Sequence, residues 1–250
     1  MSRGIIAVIV AAGAVIVVSD ASLTSKVIMA IALCVVVSLW TTTHRLRLHA
    51  LINRHSSLGQ PAPILELTRA ELARSSSPTV QVPFSIYQAV ALWMSGRFEE
   101  ALAVLERAPA AEYRGKARRT WLFLYYSQMV TCLVLAGRAA EAREILTSKL
   151  EPLAEVVIGP ATRIILDESR AKLAFAENRF DDSRELFAGL AADERVASGS
   201  RAFYYYFLGR IAQATGGDPR PDLTRAAELA PDTFLPAYLA EQTAPAGSAA

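Results

Sequence analysis

The residues with the widest chemical reach are three histidines, His44, His49 and His55, the only ones in this 250-residue chain. Three imidazoles suggest a metal ion. Their spacings of five and six do not put all three on one helical face, and no cysteine or carboxylate stands with them. They read instead as polar residues at a lipid headgroup level. The acidic pairs Glu99-Glu100 and Asp181-Asp182 are the next candidates, as general acids or bases. No histidine accompanies them in the rest of the chain, and each pair falls in the first turn of an expected helix, where carboxylates complement the helix dipole. There is no G-x-S-x-G, H-E-x-x-H or C-x-x-C, and "TGGDP" at 215–219 lacks the lysine and the strand of a phosphate loop. The expectation is a protein that is not an enzyme and holds no cofactor and no metal. Cys34 and Cys132 are too few for a disulfide scaffold, and each sits in an apolar or helical pattern as a packing residue.

The elements around these residues carry more information. Hydrophobic residues make up 52% and the mean hydropathy is +0.27, high for a purely soluble chain, and the excess lies near the start. The net charge of +2 hides an asymmetry: residues 1–60 hold Arg3, Lys26, Arg45, Arg47 and Arg54 against Asp20 alone, and the remainder is slightly acidic. The folded part therefore has no basic stripe, and no nucleic-acid partner is expected.

"GIIAVIVAAGAVIVV", Gly4 to Val18, and "VIMAIALCVVVSLW", Val27 to Trp40, are nearly pure hydrocarbon. Each is slightly short of the roughly 20 residues a spanning helix needs, and each can extend at its ends. Residues 19–26 leave room only for a tight turn. The expectation is a transmembrane helical hairpin with a basic juxtamembrane segment over residues 1–55, its small residues Ala30, Cys34 and Ser38 facing Ala7 and Ala11. A cleavable signal over residues 1–23 is the competing reading, although Val18-Ser19-Asp20-Ala21 is a poor cleavage site. Basic residues flank the hairpin on both outer sides, so both ends and the repeat domain are expected in the cytoplasm. "LRLHALINRHSSL" could lie on the membrane surface.

Residues 56–83 read as linker around one short helix, 64–74, because Gly59, Pro61, Pro63, Pro78 and Pro83 break the pattern. "TVQV" at 79–82 alternates but is too short and isolated for a strand. From Phe84 to Gln242 only helical periodicity appears, and residues 243–250 read as a disordered tail. "SGRFEEALAVLERA" from Ser95 returns in altered form as "AGRAAEAREILTSK" from Ala136 and "ENRFDDSRELFAGL" from Glu177, so that Gly96, Gly137 and Asn178 stand 41 residues apart. Glycine and asparagine tolerate the left-handed conformation that ends a helix. Each unit is therefore helix, turn, helix. A fourth, degraded copy combines "FYYYFLGRIAQATGG" with the proline-disturbed "DPRPDLTRAAELAPD". A lone pair cannot bury its apolar face, whereas stacked pairs can. Ala101, Ala142 and Ser183 recur where two helices must approach closely. The helix at 64–74 and the final "FLPAYLAEQT" are candidate caps.

With Gly96, Phe98, Ala101, Leu105 and Pro109 in the first copy, Gly137, Ala142 and Leu146 in the second, and Phe180 and Phe187 in the third, the chain resembles the tetratricopeptide repeat family over residues 83–231. It departs from the family in length, whose usual period is about 34 residues. The resemblance implies an all-α fold, an α-solenoid of helix pairs behind the two membrane helices, and a concave face lined by first helices that holds a protein partner. By alignment that face comprises Ile86, Trp93, Ser127, Thr131, Glu168, Lys172, Tyr206 and Arg210, with Lys172 and Arg210 as surface charges that orient an acidic group. Two further readings of the family likeness stand beside an open groove. The inner face could instead be filled by its own side chains, and the chain could be a structural subunit of a larger membrane complex rather than an anchored adaptor.

Overall fold

No glycine or proline interrupts the chain between Leu23 and Ser57, and one helix results. The computed structural model describes residues 22–115, 117–157 and 159–243. It divides into two units, Met1–Leu51 and Ile52–Ala250. In the first, α1 (Leu23–Ser57) carries the second apolar run. At 35 residues it is about 50 Å long, more than a bilayer core requires. Its most apolar stretch is wholly unburied: Ile31 is 59%, Val36 62% and Leu39 64% exposed, on more than half of the helix circumference. Among the described residues it is the one helix long and apolar enough to cross a membrane. The first apolar run, its residues Ala7 and Ala11, and the start of the expected turn lie outside the described residues. Two sequence expectations need correction. The turn does not extend to residue 26, because helix begins at Leu23, and the basic segment is no separate helix but part of α1.

The last turn of α1 already belongs to the second unit. It ends at Gly59, whose φ of +68° reverses the chain into α2 (Pro61–Arg74). The expected linker over 56–63 is thus a tight turn, with Pro61 at a first-turn position where a missing N–H costs nothing. The second linker shrinks to residues 75–77, because α3 (Pro78–Met94) starts on Pro78 and "TVQVP" is helical. Pro83 is accommodated early in that helix: the carbonyl it cannot serve is that of Thr79, which is exposed to water.

Four helix pairs follow. They are α3 with α4 (Phe98–Arg107), α5 (Arg118–Leu135) with α6 (Ala139–Ile145), α8 (Pro160–Ala176) with α9 (Phe180–Ala192), and α10 (Ser198–Ala214) with α11 (Arg220–Leu229). In the second pair α6 runs on through a π-helical turn, Leu146–Leu150, into α7 (Glu151–Ala154), and this takes up part of the length beyond the family's usual period. A 3-10 turn, Ala110–Glu112, takes up more. Pro221 sits in the first turn of α11 and leaves it intact, contrary to the expected disturbance. α2 packs on α3 at one end, and α12 (Leu235–Thr243) packs on α11 at the other.

Left-handed residues punctuate every pair: Gly96 at +77°, Gly137 at +75°, Asn178 at +59° and Gly216 at +78°. After the first three stands an arginine, and Arg97, Arg138 and Arg179 each clasp the carboxylate three residues on (Glu100, Glu141, Asp182) at 2.6 Å. These exposed pairs stabilise each turn only slightly. The close-approach position is the fourth residue of each second helix. Ala101, Ala142 and Ser183 are fully buried there, and the Ser183 hydroxyl donates to the Ala171 carbonyl at 2.9 Å. In the fourth pair Leu223 takes this place, and the small residue moves to the other helix: a Cβ on Gly209 would lie 2.8 Å from the Leu223 Cγ.

Candidate partner-binding site

Among the described residues the structure brings Trp93, Ser127, Thr131, Glu168 and Lys172 into one cluster, whereas Tyr206 and Arg210 line a cavity at the turn end. α3, α5, α8 and α10 turn their inner faces on one another. Ile86, Trp93, Ser127, Thr131, Lys172 and Tyr206 are all buried, and Glu168 and Arg210 are partly so. Lys172 is not a surface charge. Its ammonium pairs with Glu168 one turn away, donates to the Thr131 hydroxyl at 3.0 Å, and stands 5.5 Å from the Trp93 ring centroid. Thr131 in turn donates to the Ser127 carbonyl at 3.1 Å, and the Tyr204 hydroxyl donates to the other Glu168 oxygen at 3.0 Å. The Trp93 indole N–H donates to Gln128 at 3.0 Å, and its ring meets Phe203 edge-on at 4.5 Å. Every polar group of this cluster has a partner, as a water-poor interior requires. The expectation of an open concave face is corrected accordingly: side chains of the array fill it.

The closure has a visible cause. The Phe234 N–H donates to the Met94 carbonyl at 3.1 Å, and the Phe234 ring packs against Phe98 at 5.5 Å and Tyr206 at 5.4 Å. The last pair and its cap therefore return to the first pair. The end of α1 joins them, since the Ser198 hydroxyl donates to the Ser57 carbonyl at 3.2 Å. Gly199 is there for space: a Cβ would lie 2.7 Å from the Ser56 carbonyl oxygen. Phe203, Tyr204, Gln128 and Phe234 complete the cluster and were not among the expected residues. The aromatic run "FYYYF" was the signal for Phe203 and Tyr204, and Gln128 and Phe234 had none.

Burial also removes the thiol from play. It pushes Cys132 up to about 12, opposed by the neighbouring Lys172 charge, so the residue stays a protonated packing group. Burial, followed by the Glu168 carboxylate, likewise raises the Tyr204 hydroxyl well above its ordinary value.

One open region lies at the turn end of the array. A cavity of about 510 Å³ is lined by Phe98, Phe175, Phe180, Tyr206, Arg210 and Gln213, beside the left-handed residues Gly137 and Asn178. Arg210 is its cation. The guanidinium donates to the Tyr206 hydroxyl at 2.8 Å and lies 5.5, 5.7 and 5.8 Å from the Phe175, Tyr206 and Tyr238 ring centroids. Among the described residues it makes no ion pair. The roomier cavity of about 560 Å³ on the outer face differs in this respect, because its Arg143, Arg170 and Arg179 are all paired to carboxylates. Among the described residues no three His, Cys, Asp or Glu side chains converge as metal ligands.

Comparison with known proteins agrees with the architecture. A family model described as a tetratricopeptide repeat matches residues 84–107, the α3–α4 pair. Among solved structures, Bacillus thuringiensis PlcR in complex with the peptide PapR7 and DNA superposes with a TM-score of 0.58 at 11% identity, covering 81% of this chain and 75% of that one. No curated protein matches in sequence. The chain is an all-helical protein built on tetratricopeptide-like helical repeats.

Proposed function

We propose that this chain is a membrane-anchored interaction module, non-catalytic, in which α1 crosses the bilayer and the repeat array recruits a protein partner on the cytoplasmic side. The observation that carries the anchoring is the unburied hydrocarbon surface of α1, which water would penalise at about 25 cal/mol for every Å² and a bilayer would not. The basic residues Arg45, Arg47 and Arg54 follow the apolar stretch and favour a cytoplasmic array. Tetratricopeptide-like repeats and the peptide-bound structural relative support a protein ligand. Because the inner face is filled, that ligand meets the turn end or the outside of the array.

Photocrosslinking in cells tests this. A benzoylphenylalanine at Ala139, beside the turn-end cavity, is expected to trap a discrete partner in the membrane fraction, and one at exposed Glu144 on the following turns is not. Full-length protein that stays in the supernatant after high-speed sedimentation, with no adduct from Ala139, would contradict the proposal.

A further inference from the structure

We propose that the stretch Arg107–Arg119, which joins α4 to α5, is a second contact with the membrane and binds the anionic headgroups of phospholipids. This goes beyond the recruiting role of the array and rests on the reading of α1 as a membrane span. The first ground is unbalanced charge. Arg107, Arg114, Lys116, Arg118 and Arg119 stand against one acid, Glu112, although residues 61–250 are slightly acidic as a whole. Most arginines of the array pair with carboxylates, whereas Arg107, Arg114, Arg118 and Arg119 make no ion pair among the described residues. Two of them are also drawn together. Arg114 and Arg118 both donate to the Tyr113 carbonyl oxygen, at 3.3 and 2.9 Å. Like charges so placed repel, and a shared anion removes that cost. A phosphate diester offers acceptor oxygens to both guanidiniums. The fold holds the loop in this form: Tyr113 is 4% exposed, and Gly115 leaves room for its ring, since a Cβ would lie 2.7 Å from the Tyr113 hydroxyl oxygen.

The second ground is place. Asn53, in the last turns of α1, shares a side-chain hydrogen bond with Tyr87 of α3. Gly59 lies against Ala230 and Thr233, and the next residue, Phe234, donates to the Met94 carbonyl at the end of α3. The end of α1 therefore runs along α3, passing Tyr87 before it reaches the Met94 end. α4 packs on α3 and runs back from that end, so Arg107–Arg119 lies where α3 begins, on the side from which the chain enters the array. The rings agree: Trp121, one turn into α5 from Arg118, meets Tyr87 edge-on at 6.0 Å. Both rings are half-buried, and both are residue types that favour a lipid-water boundary. About 20 Å of helix separates Trp40, where the apolar run ends, from Asn53, so the chain tethers the basic stretch close to the headgroups. A nucleic acid would need a longer basic surface than this local one.

The test uses the full-length chain with Cys34→Ser and Ala117→Cys, reconstituted in vesicles of phosphatidylcholine alone or with about 30% phosphatidylglycerol. A maleimide dye added from outside marks exposed position 117 in outward-facing arrays, and a lipid with a nitroxide on its headgroup quenches the dye on contact. Phosphatidylglycerol is expected to shift the loop onto the surface by about fivefold for each arginine, so that quenching rises at 117 and not at Glu144→Cys. The rise is expected to vanish at about 1 M salt. Arg114→Gln, Arg118→Gln and Arg119→Gln together are expected to lower the docking equilibrium by about 100-fold and return quenching to the phosphatidylcholine level, with unchanged circular dichroism. Lysine at the same three positions keeps the charge and is expected to retain most of the response. Equal quenching in both vesicles, or a response that survives the glutamine variant, overturns the proposal. So does a short DNA duplex, or inorganic phosphate, that abolishes the response at a concentration below that of the accessible phosphatidylglycerol, which would assign the arginines to nucleic acid or to a soluble phosphate. Flotation after a carbonate wash separates this contact from the span. A chain that floats with neutral vesicles and shows no phosphatidylglycerol response loses only the second contact, whereas one that does not float overturns the span and this contact with it.

Discussion

Exchanging the small and large residues of the fourth helix pair should reveal the repeat register as a coupling energy. In the third pair small Ser183 faces Ala171, whereas in the fourth Leu223 faces Gly209, and a Cβ at 209 would meet the Leu223 Cγ at 2.8 Å, its Cδ2 at 2.9 Å and the Pro219 carbonyl oxygen at 3.2 Å. Gly209→Ala therefore overpacks a buried contact, at about 1–3 kcal/mol, offset by the roughly 1 kcal/mol that alanine gains over glycine inside a helix. The net loss is about 0–2 kcal/mol. Leu223→Ala alone opens a cavity beneath α11, because Leu223 is 2% exposed, and should cost about 2–5 kcal/mol. In the double variant the two atoms that clashed are gone, the new methyl fills part of the cavity, and the helix gain remains. The pair should thus be more stable than the sum of the single effects by about 1–3 kcal/mol. The assay is thermal and urea unfolding of full-length protein in micelles, followed by circular dichroism at 222 nm, a standard helix band. Additive single effects, within about 0.5 kcal/mol, would refute the facing of these residues and with it the register of the fourth repeat.

Other consequences can be checked together. Ala142→Leu should destabilise the array by about 1–3 kcal/mol in the same melts, since Ala142 has no exposed surface. Lys172→Met should cost about 3–5 kcal/mol by leaving Glu168 without its cation, and Lys172→Met with Glu168→Met should cost less than that single change, read from the same unfolding curves. In a Cys34→Ser background, Cys132 should react with a maleimide at pH 8 only as fast as the array unfolds; rapid labelling of folded protein would contradict its burial. The Arg195 side chain and backbone N–H hold Asp193 down to about 2. Its folded value lies below the unfolded one, so the contribution to stability is present above about pH 4 and is lost as pH falls towards 2. Carboxyl NMR should find that low titration in wild type and an ordinary one in Arg195→Ala.

The repeat architecture was legible because local chemistry dictates it. A left-handed residue every 41 positions, an arginine after it and a small residue further on need no knowledge of the rest of the chain. The same local logic would have extended α1 to Ser57, since no breaker precedes Gly59; the basic residues suggested a boundary that the backbone does not have. "TVQVP" misled in the opposite direction: β-branched residues and a proline weigh little once Pro78 opens a helix and Val80, Val82 and Phe84 can be buried. The closed interior stood in the sequence only as an alternative to an open groove. It depends on Trp93 meeting Phe203 and on Phe234 returning to Met94, contacts across more than a hundred residues that no periodicity encodes. Lys172 therefore looked like a surface charge, though Glu168 one turn before it was its available partner.

The membrane claim is tested most directly by thiol accessibility in intact cells. With Cys34 changed to alanine, Ser22→Cys lies before α1 and Glu155→Cys lies on an exposed turn of the repeat array. An impermeant maleimide should label Ser22→Cys in intact cells and Glu155→Cys only after the membrane is opened. Labelling of Glu155→Cys in intact cells, or equal protection of both sites, would contradict an array held on the cytoplasmic face by α1.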